Sequence, residues 1–213
     1  MESLDDLLRL AEVAHGHLCA GQILGVRMAM LGCRRLGIDD PRGRDRKRLV
    51  TFIEIDRCAT DAIGVVTGCR LGKRALKFRD WGKMAATFID LADGRAVRIA
   101  AKESSKARAR ELYPEIENKN QQQMRAYREM PDEELFTEEW VEVTIDAKEF
   151  PGYKGERIAC DECGEGINYD RFIRRDGKTL CLACANPDER YYRPLSSESG
   201  KKETVSVTNC ECG

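Results

Sequence analysis

The sequence predicts an α+β fold, with a mixed helix-and-strand core domain followed by a small cysteine-rich unit. Three observations predict it: apolar residues at helical spacing near the start, β-branched alternating segments in the middle, and two Cys-x2-Cys pairs near the end. The 213 residues suffice for one full domain and a small appendage. We assign residues 1–150 to the core domain, 157–186 to the cysteine unit and 187–213 to a polar tail.

Two helices are expected at the start of the chain. Apolar residues recur at helical spacing over residues 3–37, with a break at residues 15–21, where two glycines interrupt the pattern. The second helix is expected to end at Gly32 or Gly37, because glycine readily adopts the left-handed backbone that closes a helix. A basic loop over residues 41–48 follows.

The middle of the core domain predicts strands with helices between them. Residues 49–56 alternate and are rich in β-branched side chains, so they predict a strand. A short helix should follow, capped by Thr60 or Asp61 and closed by Gly68. The remaining expected elements are strands over residues 83–91 and 96–101 joined by an Asp-Gly turn, a helix capped by Ser104 or Ser105 and ended by Pro114, an exposed helix over residues 118–130, and a strand over residues 140–145.

Composition argues against several classes of protein. The net charge is −1, so no basic excess favours nucleic acid or a membrane surface. The longest apolar stretch, residues 23–32, contains Arg27 and is too short to span a bilayer. The acidic start lacks the basic region of a signal peptide, so we expect a cytoplasmic protein. Ten cysteines against two histidines then favour metal or thiol chemistry over disulfides.

The C-terminal cysteines predict a structural zinc site. Two pairs, Cys160-x2-Cys163 and Cys181-x2-Cys184, are separated by seventeen residues. Two such knuckles facing each other form the tetrahedral four-thiolate cage that zinc favours. An Asp-Gly turn between the pairs predicts a small hairpin. A disulfide or a redox-active Cys-x2-Cys is the weaker interpretation.

A second candidate metal site lies near the start. His15-x-His17-x-Cys19 holds both histidines and a thiol, which suit zinc or another divalent transition metal. Whether or not Gly16 breaks the helix, two of the three ligands are expected to converge and the third to point elsewhere. Cys58, after a strand and before a helix, is expected to join them, with both thiols activated by helix N-termini. The alternative is that these residues are ordinary core packing.

The other cysteines carry weaker signals. Cys33 lies on the apolar face of the second helix and is expected in the core. The glycines and lysine of residues 67–73, around Cys69, could cradle an anion, although a plain helix cap and turn is the preferred interpretation. Cys210-x-Cys212 near the end is expected to belong to a frayed tail rather than to a metal site.

Five short segments carry the most distinctive residue patterns: 15–21 (HGHLCAG), 24–29 (LGVRMA), 58–63 (CATDAI), 67–73 (TGCRLGK) and 79–85 (RDWGKMA). In order and spacing they resemble the E-subunit family of formylmethanofuran dehydrogenase (FmdE) across residues 10–90. One departure is Ala20, where we expect proline. The cysteine unit resembles a zinc ribbon of the DksA/TraR type, which also occurs in members of that family.

The resemblance implies an α+β core, a homodimer, and a metal held near the His-x-His-x-Cys motif. It also implies a link to the molybdenum or tungsten enzyme that interconverts carbon dioxide and formylmethanofuran. The catalytic pterin and iron–sulfur machinery of that enzyme belongs to its other polypeptides. A protein partner in a redox complex is therefore a candidate, and no membrane partner is expected.

The first functional hypothesis is a metal-binding protein with a catalytic or sensing role. Here His17, Cys19 and Cys58 hold zinc, and His15 or water completes four positions. The candidate catalytic residues are Cys19, Cys58, Asp61 and Lys83. The sequence does not decide whether the protein is an enzyme, and it assigns no reaction.

Two further hypotheses use surfaces instead of chemistry. In a non-catalytic accessory subunit, residues 70–110 (twelve basic, four acidic) and 111–149 (four basic, twelve acidic) could pair across a dimer or onto a partner. In a nucleic-acid-binding regulator, the ribbon would contact the nucleic acid. The near balance of five basic and six acidic residues over 156–184 argues against that role.

Overall fold

The computed structural model describes residues 1–193, which divide into two compact units, Met1–Tyr153 and a unit beginning at Lys154. The first unit combines helices with a five-stranded sheet, which confirms the α+β prediction. Its helices are α1 Leu4–His15, α2 Ala20–Leu36, α3 Cys58–Thr67, α4 Ser104–Leu112, α5 Lys119–Glu129 and α6 Asp132–Leu135. Its strands are β1 Leu49–Ile53, β2 Leu76–Phe78, β3 Ala85–Asp90, β4 Ala96–Ala101 and β5 Phe136–Trp140.

The sheet is mostly antiparallel, in the order β2-β1-β3-β4-β5. Only β1 and β2 run parallel, and α3 makes the crossover between them. β3 and β4 form the hairpin predicted from the Asp-Gly pair, with Gly94 in the left-handed region at φ 78°. Thr51 of β1 pairs with Phe88 of β3, which pairs with Val97 of β4. β2, which has three residues, was not expected from any pattern in the sequence.

One face of the sheet is covered by helices, with α2 in contact with β3, β4, α3 and α5. Two glycines of α2 allow its close approach. A Cβ on Gly32 would lie 2.4 Å from the Phe88 ring, so glycine lets the helix lie on β3. A Cβ on Gly25 would lie 2.5 Å from the Ala59 carbonyl oxygen, so the backbones of α2 and α3 meet directly. This crossing brings the first turns of the two helices together.

The other face of the sheet is covered by an extended segment, residues 141–145. Its apolar side chains pack on the outward side chains of the sheet, in a cluster that includes Val50, Ile89, Ala96, Val141, Val143 and Ile145. The strand predicted over 140–145 is therefore wrong beyond Trp140. The alternation is present, but its apolar residues point at the face of the sheet instead of pairing with a neighbouring strand.

Two predicted helix caps are also corrected. α3 begins at Cys58 with Arg57 as its N-cap, before the predicted caps Thr60 and Asp61. The Thr60 hydroxyl instead donates to the Ile55 carbonyl oxygen at 2.5 Å. α4 begins at Ser104 with Glu103 as its N-cap, and that cap makes no side-chain hydrogen bond.

The basic stretch over 70–110 and the acidic stretch over 111–149 pair within the chain. Arg79 contacts Glu149 at 2.7 Å, and Arg108 contacts Glu134 at 3.2 Å. These pairs are partly exposed, so each contributes little to stability. They nevertheless use charges that were candidates for pairing with a partner.

The second unit is a small ribbon of two hairpins. Its elements are β6 Arg157–Ala159, β7 Gly166–Asn168, β8 Phe172–Arg175, β9 Lys178–Cys181 and the short helix α7 Leu182–Ala185. Asp176 and Gly177 join β8 to β9 with φ values of 51° and 77°, which confirms the hairpin predicted from the Asp-Gly pair.

Within residues 1–193, no helix combines the length and the apolar run needed to cross a membrane. The tail predicted over 187–213 lies outside the described residues from residue 194 onward, and so do Cys210 and Cys212.

Candidate metal centres

The first candidate centre is built by the turn between α1 and α2. α1 ends at His15, and Gly16 caps it in the left-handed conformation at φ 93°, which glycine adopts without strain. The chain then extends through His17 to Cys19, the N-cap of α2. The left-handed residue turns the chain back on itself, so the motif forms a compact loop between the helices.

The three motif side chains converge. One potential ligand atom each from His15, His17 and Cys19 lies within 4.8 Å of the others. The two imidazole rings have centroids 4.8 Å apart. The expectation that one of the three points elsewhere is therefore wrong, because the turn at Gly16 brings both histidines to the same side. His15 and Cys19 are half-buried and His17 is exposed, so the cluster faces solvent.

Cys58 lies beside this cluster but outside the mutual 4.8 Å group. A Cβ on Gly21 would lie 3.3 Å from Cys58 Cβ and 3.8 Å from Cys19 Sγ, so the two cysteines flank this glycine. Burial raises the pKa of the Cys58 thiol, and the adjacent Cys19 thiol raises it further. Burial therefore opposes the activation that the sequence predicted for Cys58 at its helix N-terminus.

Asp61 contacts the first histidine directly. His15 Nδ1 lies 2.8 Å from Asp61 Oδ2. A carboxylate that accepts from one imidazole nitrogen fixes the ring and leaves the other nitrogen free to bind a metal. The structure thus gives Asp61, which the sequence offered as a candidate catalytic residue, a contact that positions His15.

We expect Asp61→Ala to weaken metal binding at the first centre by about 10- to 100-fold, the usual cost of losing the carboxylate behind a metal-binding histidine. Asp61→Asn should lose less, because its amide oxygen still accepts from the imidazole. Competition titration with a chromogenic chelator measures both affinities. Asp39→Ala, which removes an equal charge at an exposed position, is the control and should bind as the parent does.

The remaining predicted residues are not part of this ligand group. Lys83 Nζ lies 5.8 Å from the centroid of the Trp81 ring. Cys33 is fully buried, as predicted, and burial raises the pKa of its thiol to about 12. Cys69 is buried too, and it donates to the Leu49 carbonyl oxygen. Both thiols are packing residues.

One contact near the centre was missed from the sequence. Gln22 is fully buried, and its amide nitrogen donates to the Cys58 carbonyl oxygen at 2.6 Å. This bond ties the first turn of α2 to the first turn of α3. The available signal was the position of Gln22, three residues after the N-cap Cys19, where glutamine often makes capping contacts.

The second candidate centre is the four-cysteine cluster of the ribbon. The sulfurs of Cys160, Cys163, Cys181 and Cys184 all lie within 4.8 Å of one another. Backbone N–H groups point at them: Cys181 N lies 3.3 Å from Cys160 Sγ, and Cys184 N lies 3.3 Å from Cys181 Sγ. These contacts come from the β9–α7 turn and stabilise thiolates.

Two of these thiols, Cys160 and Cys184, differ in how readily they ionise. Backbone N–H groups of Cys163 and Cys181 lower the pKa of Cys160 to about 6. Burial and the neighbouring thiols raise the pKa of Cys184 to about 12. Four thiolates this close repel one another strongly, so a bound cation is needed before all four can be charged.

Both donor sets fit zinc. Ligands of a tetrahedral zinc, at bond lengths of about 2.0–2.3 Å, lie roughly 3.3–3.8 Å apart. The Cys163 and Cys181 sulfurs already lie 3.9 Å apart. In the first centre, two imidazoles with one thiolate lie within 4.8 Å of one another and form a suitable set of donors.

Each of the two units matches a known protein family. Residues 14–137 match the family model described as FmdE, molybdenum formylmethanofuran dehydrogenase operon. Residues 153–190 match the prokaryotic dksA/traR C4-type zinc finger. A probable S-adenosyl-L-methionine-binding protein of Archaeoglobus fulgidus is 31% identical over 206 residues, covering 85% of this chain and 53% of that protein. The chain therefore spans about half the length of that curated relative.

A solved structure shows the same fold. The crystal structure of a tungsten formylmethanofuran dehydrogenase FmdE-like protein from Syntrophus aciditrophicus superposes with a TM-score of 0.60 at 19% identity. The match covers 89% of this chain and 95% of that one. The FmdE match spans more than half of the 213 residues. The chain belongs to the FmdE family, and a C4-type zinc finger follows its FmdE domain in the sequence.

Proposed function

We propose that this chain is a two-centre metal protein, with a structural zinc in the ribbon and a reactive or sensing metal, zinc or another divalent transition metal, in the FmdE domain. The convergence of His15, His17 and Cys19 beside solvent carries the proposal. Three protein ligands with an accessible fourth position are typical of catalytic zinc, whereas four protein ligands are typical of structural zinc.

The proposed ribbon metal would compensate for the small apolar core of this unit. Among residues 154–193, the buried cluster of the ribbon consists of five residues, and two of them are the cysteines Cys160 and Cys184. So little apolar burial cannot offset the entropy of ordering some thirty residues. We propose that zinc bound by all four cysteines supplies the missing stability.

In the FmdE domain, the side chains around the first centre have separate roles. His15, oriented by Asp61, His17 and Cys19 would hold the metal. A zinc ion held in this way lowers the pKa of a bound water to about 7 and polarises carbonyl groups. The Cys58 thiol, next to Cys19, is available as a fourth ligand, so the centre could close when Cys58 binds and open when it leaves.

Metal content tests the proposal. We expect two zinc ions per chain in the purified protein and one in Cys19→Ala, measured by mass spectrometry of the metal with thiol titration. Cys160→Ser should lose the other ion. Cys33→Ala, a buried cysteine away from both centres, is the matched control and should keep two.

One zinc per chain that survives Cys19→Ala would leave the ribbon as the sole centre. That result would favour the accessory-subunit hypothesis, in which the chain docks onto a redox complex. Cobalt substitution adds a direct test of Cys58, because each thiolate ligand contributes sulfur-to-metal charge-transfer absorption. A band that weakens in Cys58→Ala shows that Cys58 binds the metal.

A further inference from the structure

A cleft lined by cations lies at the opposite end of α3 from the first metal centre. It is formed where the basic loop, residues 41–48, meets the turn after α3. Its volume is about 510 Å³, within the range of small-molecule sites. α3 has ten residues, so the cleft is about 15 Å from the Cys58 end of the helix and is a separate site.

The cations of the cleft are Arg46, Lys47 and Lys73. All three are exposed, and the described lining of the cleft contains no carboxylate. Within residues 1–193, none of the three forms an ion pair. Their neighbours in the loop do: Arg42 pairs with Glu2, and Arg48 pairs with Asp90 and Asp45. Carboxylates therefore neutralise Arg42 and Arg48 of the basic loop, whereas the positive charges at the cleft stay without an ion-pair partner among residues 1–193.

The helix end beside the cleft opposes this charge only weakly. The C-terminus of α3, at Gly68, carries a partial negative charge of about half a unit. The Arg70 guanidinium lies over the last turns of α3, 2.5 Å from where a Cβ on Gly64 would be, and offsets that charge. Three full positive charges therefore dominate the cleft.

The floor of the cleft is apolar. The apolar lining residues are less exposed than the cations: Leu49 and Ala75 are buried, and Leu91 and Pro151 are half-buried. A flat cationic surface for nucleic acid would need more phosphate contacts than three cations can make, and the net charge of −1 opposes it. A concave site with charge at its rim and apolar residues beneath suits a small molecule with an anionic end and an apolar or planar body.

We propose that this cleft binds the phosphate group of a small phosphorylated molecule whose apolar or planar body rests on Leu91 and Pro151. Arginine and lysine bind phosphate through charge-assisted hydrogen bonds. The site would combine Lys73 with Arg46 and Lys47, which are distant from it in sequence. Lys73 lies in residues 67–73, the segment with a candidate anion-binding pattern.

Calorimetric titration of the full chain with ADP, at low salt, tests this site. We expect one ADP per chain, with adenosine binding at least tenfold more weakly because it lacks the phosphates. The double variant Lys47→Met/Lys73→Met should weaken ADP binding by about tenfold, since each exposed charge contributes modestly. Arg44→Gln, on the same loop but outside the cleft, is the matched control and should bind within about twofold of the parent.

Four results would overturn the proposal. The first is no ADP binding at millimolar concentration. The second is an equal loss in Arg44→Gln. The third is a loss in Cys19→Ala, which would place the ADP at a metal centre. The fourth is displacement of ADP by short duplex DNA with a steep salt dependence, which would indicate a polyanion surface instead. Thermal unfolding of each variant confirms that it is folded.

Discussion

Replacing Gly25 by alanine is expected to destabilise the FmdE domain by about 2 kcal/mol. Alanine is the better helix former by about 1 kcal/mol, so propensity alone predicts a gain. The new Cβ, however, would lie 2.5 Å from the Ala59 carbonyl oxygen and 2.7 Å from Ala59 Cα. These are backbone atoms that cannot rotate away, so α2 and α3 must separate, at a cost of about 3 kcal/mol.

Thermal or urea unfolding measures this effect. For a domain of this size, the expected loss corresponds to a fall in Tm of about 4–8 °C. Gly72→Ala is the matched control: nothing lies within 4 Å of its Cβ position, and its stability should change by less than about 0.5 kcal/mol. A Gly25→Ala variant as stable as the parent would show that the two helices do not meet as described. In the expected case, Gly25→Ala should also bind metal less tightly at the first centre, because the first turns of α2 and α3 would both move.

Removing zinc is expected to unfold the ribbon while the FmdE domain stays folded. Structural zinc sites contribute roughly 10–16 kcal/mol of binding free energy, which is far more than the apolar burial of this unit can supply. A chelator, or Cys181→Ser, should therefore collapse the dispersion of the NMR signals from residues 157–190. Signals from the sheet of the FmdE domain should persist, because its core is built without metal.

Restoring zinc should restore the signals in the parent and not in Cys181→Ser. Cys19→Ala provides the control for the other centre, and its ribbon signals should match those of the parent. A ribbon that keeps its dispersed signals without zinc would contradict the stabilising role proposed for the metal.

The elements with strong periodicity or turn signals could be predicted from the sequence. The helical spacing and the glycines around residues 15–21 predicted two helices and their break, and α2 begins directly after Cys19. Asp-Gly pairs predicted the β3–β4 hairpin and the β8–β9 hairpin. β2 could not be predicted, because it exists only through its pairing with β1. Likewise, alternation in residues 141–145 does not reveal whether the segment pairs with a strand or lies across a sheet.

The ligands of both candidate centres could be identified from the sequence, but the geometry of the first centre could not. The ribbon spacing identifies its four cysteines, since two close pairs in so short a unit have few other uses. The His-x-His-x-Cys motif identified its ligands but not their shared orientation, which depends on the left-handed backbone at Gly16. The contact between Asp61 and His15 joins residues 46 apart in sequence, and it depends on the packing of α1 against α3. Long-range contacts of this kind leave no local pattern.

The two outermost strands limit how copies of this chain can assemble. β2 offers a ladder of only three residues. β5 presents the Glu139 carboxylate on its exposed length, beside Glu138, which pairs with Arg35, and a carboxylate there discourages a foreign strand from docking. A homodimer of the kind implied by the family resemblance would therefore be joined through side chains, and would not merge the two sheets into one continuous structure.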